Sequence, residues 1–163
     1  MGKFNKLIYL TGAYKVFAPL YSYLLYEYNR REETDLQTYN QDQASWAIVT
    51  GASEGIGKEF ALQLAKHKFN IAISSRSEEK LSLVERDIMT INPSAQVYKL
   101  ALDYSTLPSA VYPDHILQNL RLVVNNVGAL STKAFFAEDP QKLQNLMHVN
   151  HGAIVLNTAM ALR

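Results

Sequence analysis

TGASEGIG, residues 50–57, is the stretch that decides the fold, and it follows the apolar run WAIVT at residues 46–50. Its three glycines suit three different needs of a turn between a strand and a helix. Gly51 permits a tight turn, Gly55 lets a phosphate approach the backbone, and Gly57 lets the helix pack closely on the strand. The first turn of a helix also offers unpaired N–H groups to an anion. The stretch therefore predicts a pyrophosphate-binding loop.

The glycine spacing, Gly-x-x-x-Gly-x-Gly, separates this loop from two better-known phosphate-binding motifs. The commoner dinucleotide fingerprint is Gly-x-Gly-x-x-Gly, and the P-loop requires a Mg²⁺-binding Ser or Thr directly after its Lys. Here Lys58 is followed by Glu59, which excludes a P-loop. The alternative interpretation is a glycine-rich turn without a ligand.

From Trp46 onward, short apolar runs alternate with helical patterns. Strands are predicted at 46–50, 70–74, 96–102 and 122–125. Helices are predicted at 56–66, 77–91, about 115–120 and 139–161, the last of them broken near Asn150. In the first helix, Ile56, Phe60 and Leu64 share one face. This alternation is typical of right-handed βαβ units, and it predicts an α/β fold with a Rossmann-like, doubly wound parallel sheet.

Two further stretches bear on ligand binding. ISSR, residues 73–76, ends the second predicted strand without the carboxylate that accepts the ribose 2′-hydroxyl of NADH. Arg76 is placed there to bind a 2′-phosphate, which favours NADPH; the alternative is a solvated surface arginine. NNVG, residues 125–128, ends the fourth strand, and its two amides are suited to tying neighbouring strands together. The alternative there is an ordinary exit from a strand into a turn.

TGASEGIG and NNVG together resemble the two defining motifs of the short-chain dehydrogenase/reductase superfamily, and the resemblance covers residues 46–163. It implies a sheet of order 3-2-1-4 continued by further strands. It also implies that Asp103 contacts the adenine and that Asn150, as the asparagine of the catalytic tetrad, orders a water in the proton relay. The full set of residues implied to bind the cofactor is Gly51, Ser53, Glu54, Gly55, Ile56, Gly57, Arg76, Asp103, Asn125 and Gly128.

Within the superfamily, the sequence is similar to the branch of membrane-bound very-long-chain 3-oxoacyl-CoA reductases and hydroxysteroid dehydrogenases. The similarity lies in NNVG where NNAG is usual, in the opening WAIVT, in GKEFA at residues 57–61, and in SRS at residues 75–77. The branch implies an NADPH-dependent oxidoreductase of a lipid-like carbonyl in fatty acid biosynthesis or steroid reduction. It also implies the cytosolic face of the endoplasmic reticulum membrane, with a cytoplasmic location as the alternative, and a homodimer.

The family's catalytic Ser and Tyr-x-x-x-Lys have no match in this sequence, which has no Tyr-x-x-x-Lys after Asn150. In the family, the Lys lowers the pKa of the Tyr, which is the general acid. We therefore expect a sheet truncated after about four strands, with residues 122–125 as an exposed apolar edge, and a chain that is inactive alone. The branch also includes inactive members, so the alternative function is a non-catalytic protein that binds cofactor or offers a partner surface.

The amino-terminal part differs in composition from the rest. Residues 1–28 form a hydrophobic, amphipathic helix in this interpretation, residues 29–45 a polar linker, and residues 46–163 a partial NADP-binding domain. Tyrosines and the basic pair Arg30–Arg31 favour membrane association, as a span or as an interfacial helix. The alternative is a soluble helix packed on the domain or on a partner. The shared face comprises Leu7, Leu10, Tyr14, Phe17, Tyr21, Leu24 and Tyr28.

Composition excludes several other classes of protein. The net charge is +1 and no basic cluster stands out, which argues against a nucleic-acid partner. The sequence contains no cysteine, so it has no disulfide, no catalytic thiolate and no cysteine-ligated metal. His148 and His151 lack acidic companions, and we interpret them as solvent-exposed residues rather than as metal ligands.

Overall fold

The computed structural model describes residues 18–24, 26, 36–40, 44–106 and 112–162. The chain divides into two compact units, Met1–Asp35 and Leu36–Arg163. In the first unit, residues 18–24 are helical. Most of the predicted amphipathic face falls at 7–17 and 28, outside the described residues. In the part of the chain that the structure describes, no helix combines the length and the apolar character needed to cross a membrane.

The second unit is built on a sheet of four parallel strands. They are β1 (Trp46–Thr50), β2 (Asn70–Ser75), β3 (Val97–Ala101) and β4 (Leu120–Val124), arranged in the order β3-β2-β1-β4. Every residue of β1 and β2 is buried. The parallel sheet is as the alternation of apolar runs and helices predicts, and its strand order is the one that the family resemblance implies.

In the part of this unit that the structure describes, five α-helices connect or follow the strands. The helix Glu78–Ile91, which follows β2, is capped by Ser77, whose side chain accepts a hydrogen bond from Lys80 N at 3.3 Å. The predicted break near Asn150 is a π-helical turn over His148–Gly152. The helices are α1 (Gly55–Lys66), α2 (Glu78–Ile91), α3 (Asp114–Gln118), α4 (Pro140–Met147) and α5 (Ala153–Ala161).

Helices pack on both faces of the sheet, as in a doubly wound fold. Successive side chains of a strand point to opposite faces. Ala47 and Val49 accordingly lie in one apolar cluster with side chains of α1 and α2. Trp46 and Ile48 lie in a second cluster with Ile116 of α3, against which Met160 of α5 packs. Because the four strands are parallel, their carboxyl ends meet at one edge of the sheet, which is where open α/β sheets bind ligands.

The packing face of α1 differs from the prediction. Of the three apolar residues, only Leu64 is buried, whereas Ile56 is 71% exposed and Phe60 is 47% exposed. The residues of α1 that pack inward are mostly small, Gly57, Ala61 and Ala65 among them. Gly57 lies so close to Asn126 and to the backbone of Gly51 that a side chain there would collide, so the helix begins its inward face without one. Ile56 and Phe60 instead line an apolar groove beside β4.

The folded unit begins before Trp46. Leu36–Tyr39 form a 3₁₀ turn, and Leu36 packs against the core. Asn40 donates from Nδ2 to the carbonyl oxygen of His67 at 3.0 Å, at the end of α1. The end of the stretch interpreted as a linker thus forms part of the compact unit. Among the described residues, β4 pairs only with β1, so it is an edge strand.

Candidate dinucleotide-binding site

A cavity of about 500 Å³ lies at the carboxyl ends of the strands. All four strands contribute the residues that follow them, so the cavity is assembled by the sheet itself. Side chains from α4 close one side. The principal lining residues are Gly51, Ser53, Glu54, Ser75, Arg76, Ser77, Lys80, Asp103, Tyr104, Asn126, Gly128, Lys142 and Asn145.

The glycine loop has the backbone that its sequence requires. Gly51 and Gly55 have φ values of +65° and +58°, in the left-handed region that disfavours other residues. A Cβ on Gly51 would lie 2.9 Å from the Cα of Val127, and one on Gly57 would collide with the backbone of Gly51. A Cβ on Gly55 would meet no heavy atom within 4 Å. Two glycines therefore permit close packing, and the third faces open space.

The amino terminus of α1 is uncapped. Glu54 occupies the N-cap position in an extended conformation, yet its carboxylate accepts no hydrogen bond from the first turn. The leading N–H groups of a helix have no partner within the helix and carry the positive end of its dipole. The loop thus offers donors to an anion.

Thr50 and Asn126 join the glycine loop to the end of β4. The Thr50 hydroxyl accepts from the backbone N–H of Asn126 at 3.0 Å and of Val127 at 3.1 Å. It donates to the carbonyl oxygen of Val124 at 3.3 Å. The Asn126 amide donates to the carbonyl oxygens of Thr50 and Gly51, both at 3.1 Å. The proposed tie between strands is therefore present, and Asn126 provides it.

Asn125, the other amide of the pair, points elsewhere. Its Nδ2 donates to the hydroxyl of Thr158 on α5 at 3.2 Å, and its side chain does not line the cavity. Successive residues at the end of a strand face opposite sides of the sheet, which separates the two amides. The sequence pattern shows the pair but does not show which member turns inward.

Arg76 and Asp103 face the cavity from the ends of β2 and β3. The carboxylate of Asp103 accepts a hydrogen bond from Ser105 N at 2.9 Å. That bond lowers the pKa of Asp103, and the nearby Arg76 lowers it further. Asp103 is thus ionised at neutral pH. At the end of β2, Ser74 and Ser75 precede Arg76, so β2 ends without a carboxylate.

Asn150 lies in the π-helical turn and holds the loop that follows Gly128. Its Oδ1 accepts from Ala129 N at 2.8 Å, and its Nδ2 donates to Ala129 O at 2.7 Å. Its side chain does not line the cavity. The backbone N–H and C=O of one residue, Ala129, thus bind both polar atoms of the amide, which fixes the loop beside the cavity.

His148 differs from its predicted solvent exposure. It is half-buried, and its Nδ1 lies 2.7 Å from the carbonyl oxygen of Ser105. A carbonyl only accepts, so Nδ1 carries the proton. His151 is exposed as predicted. Among the residues that the structure describes, no three His, Asp or Glu side chains are grouped as metal ligands would be.

The structure brings together six of the residues predicted to bind the cofactor: Gly51, Ser53, Glu54, Arg76, Asp103 and Gly128. Gly55 and Gly57 lie in the same loop without lining the cavity, and the side chain of Ile56 turns to the apolar groove. Sequence reasoning missed Lys80 and Lys142. Lys80 lines the cavity and forms an ion pair with Glu54, which is 26 residues away. A contact between residues so far apart leaves no local pattern in the sequence.

Comparison with known proteins agrees with this geometry. Residues 45–163 match the family described as short chain dehydrogenase. The chain is 37% identical over 148 residues to a very-long-chain 3-oxoacyl-CoA reductase of Pyricularia oryzae, which covers 86% of this chain and 44% of that protein. The chain thus spans less than half the length of this curated relative.

Solved structures show the same fold. A metagenomic short-chain oxidoreductase in complex with NADP superposes with a TM-score of 0.59 at 26% identity, covering 72% of this chain and 54% of the other. The acetoin dehydrogenase YohF of Salmonella typhimurium superposes with a TM-score of 0.63 at 28% identity, covering 72% and 47%. The glycine loop, the strand order and the family match together show that the chain belongs to the short-chain dehydrogenases, a family of oxidoreductases.

Proposed function

We propose that the cavity binds NADPH. The observation that carries the proposal is the pairing of an uncapped glycine loop with Arg76 in a single cavity. In this arrangement, the pyrophosphate reaches past the lining residues Ser53 and Glu54 to the N–H groups at the start of α1, and Arg76 binds the 2′-phosphate. Asp103 accepts a hydrogen bond from the adenosine, and the loop of Asn126 and Gly128, which both line the cavity, borders the nicotinamide end.

The residues present fit such a ligand. The space in front of Gly55 contains no heavy atom within 4 Å of a constructed Cβ, as close approach of a phosphate requires. The cavity extends from Arg76 and Asp103 to Lys142 and Asn145 on α4. It therefore gives an extended ligand one end with Arg76, Lys80 and their acidic partners, and an opposite end that combines Lys142 and Asn145 with the apolar Leu146.

We further propose that the whole protein reduces a lipid-like carbonyl, with a 3-oxoacyl-CoA as the substrate class. Support comes from the relatives named very-long-chain 3-oxoacyl-CoA reductase. Bound NADPH would supply the hydride. Within this chain, Asn150 acts as a positioning residue, because its amide holds the loop beside the cavity. Attachment to the endoplasmic reticulum membrane and a homodimer stay predictions.

Titration of the purified chain with NADPH and NADH tests cofactor binding. A charge-assisted hydrogen bond contributes about 1.5–3 kcal/mol, so we expect NADPH to bind at least about tenfold more tightly. Arg76→Gln should reduce that preference about tenfold while leaving NADH binding unchanged. Equal affinities for the two cofactors in the wild-type chain would contradict the proposal.

The reductase activity is tested in the natural protein. A 3-oxoacyl-CoA should accelerate NADPH oxidation, measured as the loss of NADPH absorbance. Intact NADPH binding without any 3-oxoacyl-CoA-dependent oxidation would reject the reductase and favour the alternative, a protein that binds the cofactor without catalysis.

A further inference from the structure

An ion pair spans the wall of the cavity where the adenosine end is proposed. Lys80 Nζ lies 2.7 Å from Glu54 Oε2. Glu54 belongs to the glycine loop, and Lys80 belongs to the first turn of α2, so the pair joins two separate elements. Both side chains line the cavity together with Arg76. They are 74% and 51% exposed, so both remain accessible to a ligand.

Glu54 is a carboxylate in the wall of a cavity that is proposed to bind phosphates. It stands at the N-cap of α1 but leaves the N–H groups of α1 uncapped and pairs with Lys80 instead. Its hydrogen bond with Lys80 lowers the pKa of Glu54, so the carboxylate is charged at neutral pH. A phosphate monoester carries a charge of about −1.5 to −2 at pH 7. An unpaired Glu54 would therefore repel the 2′-phosphate.

Each cation at this end of the cavity has an acidic neighbour. Arg76 lies near Asp103, and Lys80 is bound to Glu54. Asp103 is held by Ser105 N, whereas Glu54 has Lys80 as its hydrogen-bond partner. Of these two pairs, Glu54–Lys80 is the one in which a ligand phosphate can replace the carboxylate with the smaller cost to the protein structure, because an exposed ion pair is weak.

We propose that Lys80 is a second cation of the 2′-phosphate site and that Glu54 restrains it in the free protein. On binding, the 2′-phosphate replaces the Glu54 carboxylate on Lys80, and Arg76 and Lys80 then hold the phosphate together. Glu54 thereby sets how strongly the cavity favours a 2′-phosphorylated nucleotide. The inference rests on the proposed function and deepens it.

Adenosine 2′,5′-bisphosphate and 5′-AMP are suitable probes, because they differ only in the 2′-phosphate. Dissociation constants are measured by calorimetry on the full chain. Lys80→Gln should weaken binding of the bisphosphate about tenfold and change 5′-AMP binding less than twofold. Glu54→Gln frees Lys80 and removes the repulsion, so it should strengthen binding of the bisphosphate about threefold.

A second ion pair supplies matched controls. Lys58 Nζ lies 2.7 Å from Asp87 Oδ2, and this pair also joins α1 to α2. Neither residue lines the cavity. Lys58→Gln and Asp87→Asn make the same changes in net charge as the two test substitutions. They should each change binding of the bisphosphate less than twofold.

The inference and the proposed function fail in different ways. If the wild-type chain prefers the bisphosphate and Arg76→Gln reduces that preference, but Lys80→Gln has no more effect than Lys58→Gln, the inference is overturned and the proposed function stands. Weaker binding of the bisphosphate by Glu54→Gln also overturns the inference. If the wild-type chain binds the two probes equally or binds neither, both fail.

Discussion

At the scale of single residues, the three glycines of the loop are required for different steric reasons. Gly51 and Gly57 have no room for a side chain, since a Cβ on either would collide with neighbouring backbone or with Asn126. Gly55 has room but also has a positive φ. The sequence pattern predicts all three positions. It does not show that a side chain at position 57 would collide with Gly51 and Asn126 rather than with the strand.

Substitution of single glycines separates binding from stability. Gly55→Ala should lower the free energy of unfolding by about 1–2 kcal/mol, the cost of a left-handed backbone for a non-glycine residue. It should weaken NADPH binding about tenfold, because its methyl group occupies the space that a pyrophosphate needs. Gly57→Ala should lower the free energy of unfolding further, by about 3 kcal/mol, through overpacking. Unchanged NADPH affinity in Gly55→Ala, measured by fluorescence titration, would show that the pyrophosphate lies elsewhere.

The buried hydroxyl of Thr50 is a second residue-level test. Thr50→Val retains the shape of the side chain but leaves the backbone N–H groups of Asn126 and Val127 without their acceptor. Unsatisfied buried donors are costly, so the free energy of unfolding should fall by about 3 kcal/mol in urea denaturation. Thr50→Ser retains the hydroxyl and should cost about 1 kcal/mol. Equal losses in the two variants would mean that packing, not hydrogen bonding, explains the role of Thr50.

At the scale of elements, the strands and long helices follow from the sequence. Apolar runs predict β1 and β2, and the Ser77 cap with its helical spacing predicts α2. The inward face of α1 could not be predicted in the same way. Helical spacing identifies the apolar stripe of Ile56, Phe60 and Leu64, but the close approach at Gly57 selects small residues for the core. Only Leu64 of the stripe is buried, and Ile56 and Phe60 border an apolar groove beside the edge strand β4 instead.

The π-helical turn is the element that connects the last helices to the site. A π-turn adds one residue to a helical turn and often marks a functional position. Here it directs Asn150 at the backbone of Ala129. The sequence indicates a break near Asn150, but it does not show the partner, which is 21 residues away.

Hydrogen exchange measures the contribution of this turn. Asn150→Ala removes the acceptor of Ala129 N–H, so exchange at Ala129 should accelerate by about tenfold, the equivalent of about 1.4 kcal/mol. His151→Ala alters an exposed residue of the same turn and should leave Ala129 unchanged. Slow exchange at Ala129 in the Asn150 variant would show that the loop is held by other contacts.

At the scale of the whole molecule, the core on the second face of the sheet includes a buried phenol. Tyr112 is almost fully buried among Trp46, Ile48 and Ile116. Its hydroxyl has no hydrogen-bond partner in the described part of the chain. Burial raises the pKa of Tyr112 well above its usual value of about 10, and the neighbouring Tyr104 adds to the effect. Folded Tyr112 thus stays protonated where an unfolded tyrosine ionises.

Stability should therefore fall at alkaline pH. Above about pH 10, the unfolded chain loses the Tyr112 proton and the folded chain retains it, so unfolding is favoured by about 1.4 kcal/mol per pH unit. Below that pH, the contribution of Tyr112 to stability is fully present. Tyr112→Phe should remove this contribution to the decrease in the free energy of unfolding with rising pH, measured by urea denaturation at pH 8–11. Tyr39→Phe, at an exposed position, is the control, and identical slopes in wild type and Tyr112→Phe would refute the assignment.

The central claim is that the carboxyl ends of the four strands form an NADPH site. A crystal structure of the chain with bound NADPH tests it most directly. We predict pyrophosphate oxygens within about 3 Å of the N–H groups of Gly55 to Gly57, and the 2′-phosphate at the same distance from the Arg76 guanidinium. Density for the cofactor outside this cavity, or with its adenosine at the Lys142 end, would contradict the account.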